Sequence, residues 1–426
     1  MSAAYHLQAT CDVTLFEREA AFGGHAQTVE VTDGPDAGLP LDVAFMVLNE
    51  QNYPKLYRLL SDIGIALGPS EMSFSYCCRV SGEEYAINYD HASPESSGNA
   101  RHRPAVAAPS KMLLSLYSEI GRFCTLAARD VADAGLGDQE LGAYLDARRF
   151  SACLRRQYII PMGAALWSAP PGRVLSFPAA LFLRFMENHG LLSLSGGRSW
   201  RHILGGSRAY VHAMVEALAN MKTSAKLRAG TAVTAIARDV TRDDRAGHGT
   251  VTLQTAGSAP EQFDAVVIAT HADQALRLLA DPSAEEAALL GSFTYQHNDA
   301  LLHWDESVMP SRRQAWASWN YELESAGEPD AVCITYHLNR LQGHHKAARQ
   351  YFLTLNRRTP VNHDKVLARL RFSHPLFDGQ ALKAQRSLAG RGMRNQTCFA
   401  GSYLGYGFHE DAFASGLLAA ESIAKA

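Results

Sequence analysis

Residues 12–24, DVTLFEREAAFGG, decide how the rest of the chain reads. Val13, Leu15 and Phe16 make a short apolar strand that runs into Glu17, and Gly23-Gly24 follow within one loop. This is how the second strand of a dinucleotide-binding βαβ unit ends, with an acidic side chain that accepts hydrogen bonds from a ribose hydroxyl pair. Such a residue stands about 20 positions beyond the start of a G-x-G-x-x-G turn. Counting back from Glu17 puts that turn at or before Met1. Residues 2–9, SAAYHLQA, then read as the remainder of the helix that the turn opens. The first strand and the phosphate-cradling loop are expected to be missing from this sequence.

Working outward, residues 263–270, FDAVVIAT, form a near-continuous apolar run, the pattern of a parallel strand buried on both faces. Ala272 to Leu279 continues it as a helix. A strand-to-helix return so far from the first one implies that a Rossmann-type domain is interrupted by a large insertion. The last block, residues 397–426, TCFAGSYLGYGFHEDAFASGLLAAESIAKA, runs from a strand through Gly401, Gly405 and Gly407 into a terminal helix starting near Asp411. A helix start facing a glycine loop is an anion site, by its unpaired N–H groups and its dipole.

Between these pieces the periodicity predicts a hairpin from residues 28–31 and 41–47, a helix over 53–63 capped by Gly64, and strands at 72–80 and 84–88 about a Ser81-Gly82 turn. Helices are expected over 111–132 and 139–149. Residues 150–193 are the most apolar and aromatic stretch, and Pro161, Pro170, Pro171 and Pro178 break it into short helices. Met162, Trp167, Phe177, Phe182 and Phe185 read either as a helical core or as the lining of a tunnel for a long apolar substrate. A face dipping into a bilayer surface is the third reading. The double glycine of ILGGSRAYV, residues 203–211, leads into a further helix, and strands follow at 226–236 and 251–255. Strand-like pieces return at 300–304, 332–338 and 351–355.

Composition bounds the function. With 426 residues, 47% hydrophobic and 19% charged, the chain has room for two or three domains. A net charge of -3 gives no general attraction to nucleic acid or anionic lipid. Seven cysteines without a C-x-x-C spacing point to reduced thiols in a cytosol, and Cys77-Cys78 reads as a strand pair. Residues 1–10 lack the basic start and apolar core of a signal peptide. No run approaches the roughly 18 apolar residues of a spanning helix, so a cytoplasmic protein, at most peripheral at one membrane face, is expected. Residues 93–110, rich in Ser, Pro, Ala and Arg, read as a mobile surface loop. His344-His345 has no carboxylate or cysteine at ligand spacing, and no metal is expected.

The pieces LFEREAAFGGHAQT, LDVAFMVLNEQNYP, YIIPMGAALWS, ILGGSRAYV, FDAVVIATHADQAL and FAGSYLGYGFHEDAFASG occur in one order across nearly the whole chain. In that order they resemble the flavin-containing amine oxidase and phytoene desaturase superfamily, in particular a bacterial branch of FAD-dependent, NAD/FAD-binding oxidoreductases. The resemblance implies an α/β fold: a split Rossmann-like FAD-binding domain with an inserted α+β substrate domain. Its boundaries are expected at 1–60, 203–290 and 391–426 for the FAD-binding parts, with 61–202 and 291–390 as the substrate domain. By position, Glu17 holds the adenosine ribose, Gly23 and Gly24 run past the cofactor, and Val233 meets the adenine with its backbone. Gly401, Ser402, Gly407 and Phe408 lie along the ribityl chain and flavin ring. His409, Glu410 and His25 are the residues expected to approach the isoalloxazine, with a hydrogen-bonded scaffold at a helix start as the other reading of His409 and Glu410.

Three departures stand out: the absent glycine turn, Ala21 where the superfamily has arginine, and Ser402 where it has an acid. The first is read either as a start assigned too far downstream or as a short form that binds FAD poorly. The function implied is an oxidase or desaturase removing hydride from a small apolar substrate, fatty-acyl or isoprenoid, with oxygen or a quinone as acceptor. An amine oxidase, and a flavin-free homologue acting as a binding protein, are the alternatives.

Overall fold

A computed structural model describes residues 1–88, 111–133, 135–193, 198–220, 225–239, 249–325 and 332–425. The loop expected at 93–110 and residues 240–248, between the strands expected at 226–236 and 251–255, lie outside the described residues.

Two short parallel pairs join distant parts of the chain. Thr14–Phe16 pairs with Lys226–Arg228, and Val266–Ile268 pairs with Thr397–Phe399. The middle strand was expected to be buried on both faces. Ile268 is buried, but Val266 and Val267 remain half-buried, because among the described residues the strand has a hydrogen-bonded neighbour on one edge and none on the other. A three-stranded antiparallel sheet, Glu261–Phe263, Val251–Thr255 and Val233–Arg238, lies next in the chain. The first helix, Ser2–Leu7, packs on the C-terminal helix His409–Ala424 through a Ser2 hydroxyl that donates to the Phe413 carbonyl at 3.0 Å. A Cβ at Gly416 would stand 2.1 Å from that hydroxyl oxygen, so glycine sets the approach of the two helices.

The insertion is built on a seven-stranded sheet. Its order is Val366–Leu376, Thr294–His303, Phe352–Leu355, Ile334–His337, Trp319–Leu323, Ser73–Cys78 and Glu84–Asn88. All neighbours are antiparallel except Trp319–Leu323 with Ser73–Cys78. Cys77 and Cys78 lie in the last-but-one strand, and all seven cysteines are free.

Helices cover this sheet. In Lys111–Ala132 the buried positions Leu116, Ile120, Phe123, Cys124 and Ala127 recur at one-turn spacing and face inward. The proline-punctuated stretch gives Pro171–Val174, with Pro171 in the first turn where a missing N–H costs nothing, and Ala179–Asn188. Pro161 does not break the chain as expected: Ala152–Leu154, the π-type turns Arg155–Ile159 and Ile160–Trp167 form one continuous helical run, and Pro161 sits just after its π segment. Met162, Trp167, Phe177, Phe182 and Phe185 are all buried in one cluster. Trp167 touches Phe177, Phe182 and Phe185 at centroid distances of 5.5, 5.8 and 4.8 Å, the arrangement of a core. Each fully buried aromatic ring of this kind stabilises the fold by about 2–3 kcal/mol. Among the described residues no helix is long and apolar enough to cross a membrane.

Candidate active site

At one end of the site the parallel pair Thr14–Phe16 and Lys226–Arg228 delivers Glu17. Its backbone N–H donates to the Arg228 carbonyl at 2.9 Å, and its carbonyl accepts from the Thr231 N–H at 2.7 Å. Those bonds stitch the Glu17 turn to the loop entering Val233, which is half-buried in the same apolar cluster as Phe16. Glu17 and Val233 are thus brought together. One carboxylate oxygen of Glu17 accepts the Glu19 N–H at 2.9 Å, which leaves the other oxygen for an outside donor. Gly23 and Gly24 adopt φ of 121° and 56°, the left-handed region that disfavours side chains. A Cβ at Gly23 would stand 3.0 Å from Val211, whereas nothing lies within 4 Å of one at Gly24. Bare backbone passes an open space there.

At the other end, Thr397–Phe399 runs into Gly401, whose N–H donates to the Ser415 hydroxyl at 2.9 Å. The Ser402 carbonyl then accepts the N–H groups of Gly405 and Gly407, both at 3.1 Å, and Gly407 turns with φ 96°. Asp411 closes this loop by accepting the N–H groups of Tyr406 at 3.0 Å and Phe408 at 2.8 Å. Burial pushes its carboxyl up to about 6 in spite of those bonds. The expected anion site at this helix start is therefore partly filled by the helix's own side chain.

The loop sets three side chains. Phe408 stacks on Phe185 with centroids 4.6 Å apart. His409 lies on Phe45, and its Nε2 meets the Tyr210 hydroxyl at 2.5 Å. Glu410 points elsewhere: its two oxygens accept the N–H groups of Lys55 and Leu56, each at 3.0 Å, at the start of the helix Pro54–Asp62. It is a cap in this structure and does not join His25 and His409.

His25 stands between the two ends. Its ring lies 5.8 Å from Phe372, 6.1 Å from His271 and 6.1 Å from His374. The His25 side chain is exposed and stands among these rings, so it borders the open space between the two ends, here termed the chamber. Burial pushes His25 down to about 4, and His374 and His409 down to about 3; each also feels the charge of a neighbouring histidine. The wall is therefore made of neutral imidazoles and aromatic rings at neutral pH.

Two residues that complete this wall, Phe45 and Tyr210, were not singled out in the sequence; His374, which reads from the sequence as structural rather than catalytic, joins them, with the fully buried Asn298 behind it. His374 was visible as a histidine in SHPLF, but only the register that sets it opposite Gln296 carries it to His25. His344 lies apart, on a separate cavity of about 250 Å³, where its Nε2–H donates to the Pro40 carbonyl at 3.0 Å. Among the described residues no three histidine, cysteine or acidic side chains converge as a metal site.

The residues suit FAD on structural grounds. An acceptor carboxylate stands at Glu17, bare backbone borders the open space at Gly24, a left-handed turn occurs at Gly407, and neutral rings enclose the far end.

The comparisons with known proteins agree. The model of the flavin containing amine oxidoreductase family matches residues 1–345. No curated protein matches at a significant level. Among solved structures the chain is similar to a putrescine oxidase bound to putrescine, at 13% identity and TM-score 0.66, covering 100% of this chain and 96% of that one. It is similar to the cyclohexylamine oxidase of Brevibacterium oxydans at 15% identity and TM-score 0.65, covering 100% and 96%. A fatty acid isomerase of P. acnes, described as CLA-producing, aligns at 12% identity and TM-score 0.63, covering 100% and 95%. At these identities the likeness concerns the fold.

Proposed function

This chain belongs to the flavin-containing amine oxidoreductase family and is an FAD-dependent oxidoreductase, and from that premise we propose that it removes a hydride from a C–H bond of an apolar substrate. The substrate class is a fatty-acyl or isoprenoid chain, and oxygen or a quinone takes the electrons in the end. The observation that carries this reading is the electrical character of the chamber wall. His25, His374 and His409 are neutral and stand among Phe45, Phe372 and other rings, and Glu410 is occupied as a cap. A neutral, ring-lined wall suits hydrocarbon, while its ring faces also attract an ammonium, which keeps an amine as the second reading.

When bound, FAD supplies the hydride acceptor. The chain's own residues do the rest. Glu17 accepts from the ribose, and the Gly23-Gly24 backbone makes room for the cofactor's length. The loop held by Asp411 presents Phe408 and His409, and the rings exclude water. His409, braced between Phe45 and Tyr210, keeps one imidazole orientation toward the chamber. Peripheral contact with a membrane is part of the proposal, since Met112 and Leu114 are exposed beside Lys111, and cosedimentation with anionic vesicles tests it.

An amine substrate is the second reading, favoured by the family's description. Anaerobic addition of a panel of long-chain acyl esters, isoprenoid alcohols and amines of equal length to the FAD-loaded protein separates the two. Bleaching of the flavin by the lipids supports the proposal, and bleaching by the amines alone overturns it.

A further inference from the structure

The hydrogen bonds behind His374 have only one self-consistent polarity. Asn356 Nδ2 donates to the Val332 carbonyl at 3.0 Å and to Asn298 Oδ1 at 2.6 Å, while Asn356 Oδ1 accepts the Asp299 N–H at 3.0 Å. A carbonyl can only accept and a backbone N–H can only donate, so the orientation of both amides follows. Asn298 Nδ2 then donates to the Ser168 carbonyl at 3.1 Å and turns its second hydrogen to His374 Nδ1, 3.0 Å away, rather than to the more distant Gln296 carbonyl at 3.5 Å. His374 Nδ1 is therefore an acceptor, and in a neutral imidazole the proton sits on Nε2.

The scaffold behind this arrangement is rigid. Asn298 is fully buried. Ser168 and Asn356, which anchor it from a helix end and a strand end, hold φ of 48° and 52°. Left-handed backbone at a serine costs on the order of 1 kcal/mol and persists only where the surroundings impose it. The ring itself lies 6.1 Å from His25 and 6.4 Å from Phe372 between centroids, and among the described residues no hydrogen bond is made by its Nε2.

We propose that His374 is a specificity-determining residue whose Nε2–H donates a hydrogen bond to an uncharged oxygen of the substrate. The substrate is then an apolar chain bearing a carbonyl or hydroxyl, such as an acyl ester or an isoprenoid alcohol. An ammonium brings only donors and leaves this N–H unpaired. A free carboxylate accepts, but it must lose its hydration within a wall of neutral rings. The inference deepens the proposed function and rests on its reading of the chamber as the substrate site.

The test uses the FAD-loaded protein with methyl decanoate and decylamine as matched probes, binding being read from the perturbed flavin spectrum. His374→Phe is expected to weaken methyl decanoate roughly tenfold and to leave decylamine unchanged, with His374→Gln, which retains a donor, recovering part of the loss. Equal weakening of both probes, tighter binding of decylamine by the unaltered protein, or a change confined to FAD affinity overturns the proposal. Long-range proton–nitrogen NMR of histidine-labelled protein reads the tautomer without any variant, and a proton on Nδ1 of His374 also overturns it. If no lipid bleaches the flavin, the proposed reaction fails, while this binding preference still stands or falls on its own measurements.

Discussion

The imidazole of His409 lies flat against Phe45, with ring centroids 4.0 Å apart and planes 11° from parallel. Its Nε2 reaches the Tyr210 hydroxyl at 2.5 Å, so stacking fixes the plane and the hydrogen bond fixes the rotation. Tyr210→Phe should keep the fold and the bound FAD while reducing turnover roughly tenfold, the usual scale for a lost orienting bond. Turnover equal to that of the unaltered protein would remove His409 from the account of the site.

Glu410 is predicted to be scaffold. Glu410→Gln loses half of a two-oxygen cap on the helix Pro54–Asp62 and should cost about 1 kcal/mol in a denaturant melt. The flavin spectrum and the turnover of folded protein should not move. A collapse of turnover at unchanged stability would return Glu410 to the chemistry.

Glu17→Ala should weaken FAD binding by about ten- to a hundredfold, since a carboxylate accepting from a ribose hydroxyl is worth roughly 1.5–3 kcal/mol. Fluorescence titration of FAD against both proteins measures it. Unchanged affinity would end the ribose role.

Trp167→Ala should destabilise the protein by about 3–5 kcal/mol, because the ring is buried against three phenylalanines and its Nε1–H donates to the Tyr406 carbonyl at 2.9 Å. A tunnel-lining role predicts instead a loss of turnover on long substrates with little change in melting, so urea melts and chain-length profiles separate the two.

The buried histidines set an acid limit. Burial pushes His189 down from 6.5 to about 4, so the folded state holds it neutral while the unfolded chain protonates below 6.5. Its contribution is present above pH 6.5 and is lost as the pH falls through about 4, up to about 3 kcal/mol in all. His374 and His409 act in the same direction. Urea midpoints should fall steeply from pH 6.5 to 4, and His189→Phe should make the slope shallower. A slope unchanged by that substitution would mean that His189 is already protonated in the native protein.

Much of this architecture was legible wherever local spacing carries the information. Lys111–Ala132 announces itself through Leu116, Ile120, Phe123 and Ala127, and Pro54–Asp62 through Leu56, Leu59 and Leu60. The family resemblance was legible for a similar reason, since glycine turns and strand-end acids are read in short windows. The chamber wall was not. His25, Phe45, Tyr210, His374 and His409 come from five separate segments, and only sheet register and helix packing bring them together. The polarity of His374 is further still from the sequence, because it depends on carbonyls at Ser168 and Val332 and an N–H at Asp299. Burial of Val266 and Val267 was overestimated, since an apolar run reports what a strand can bury and says nothing of how many neighbours it has.

We propose that FAD fills the space between Glu17 and His409, and the most direct test is titration of the purified protein with FAD, followed by visible absorption and flavin fluorescence. We predict saturable binding of one FAD per chain with a perturbed, structured flavin band that weakens in Glu17→Ala. A protein that leaves the free-flavin spectrum unchanged at every FAD concentration would contradict the account and leave a flavin-free binding protein in its place.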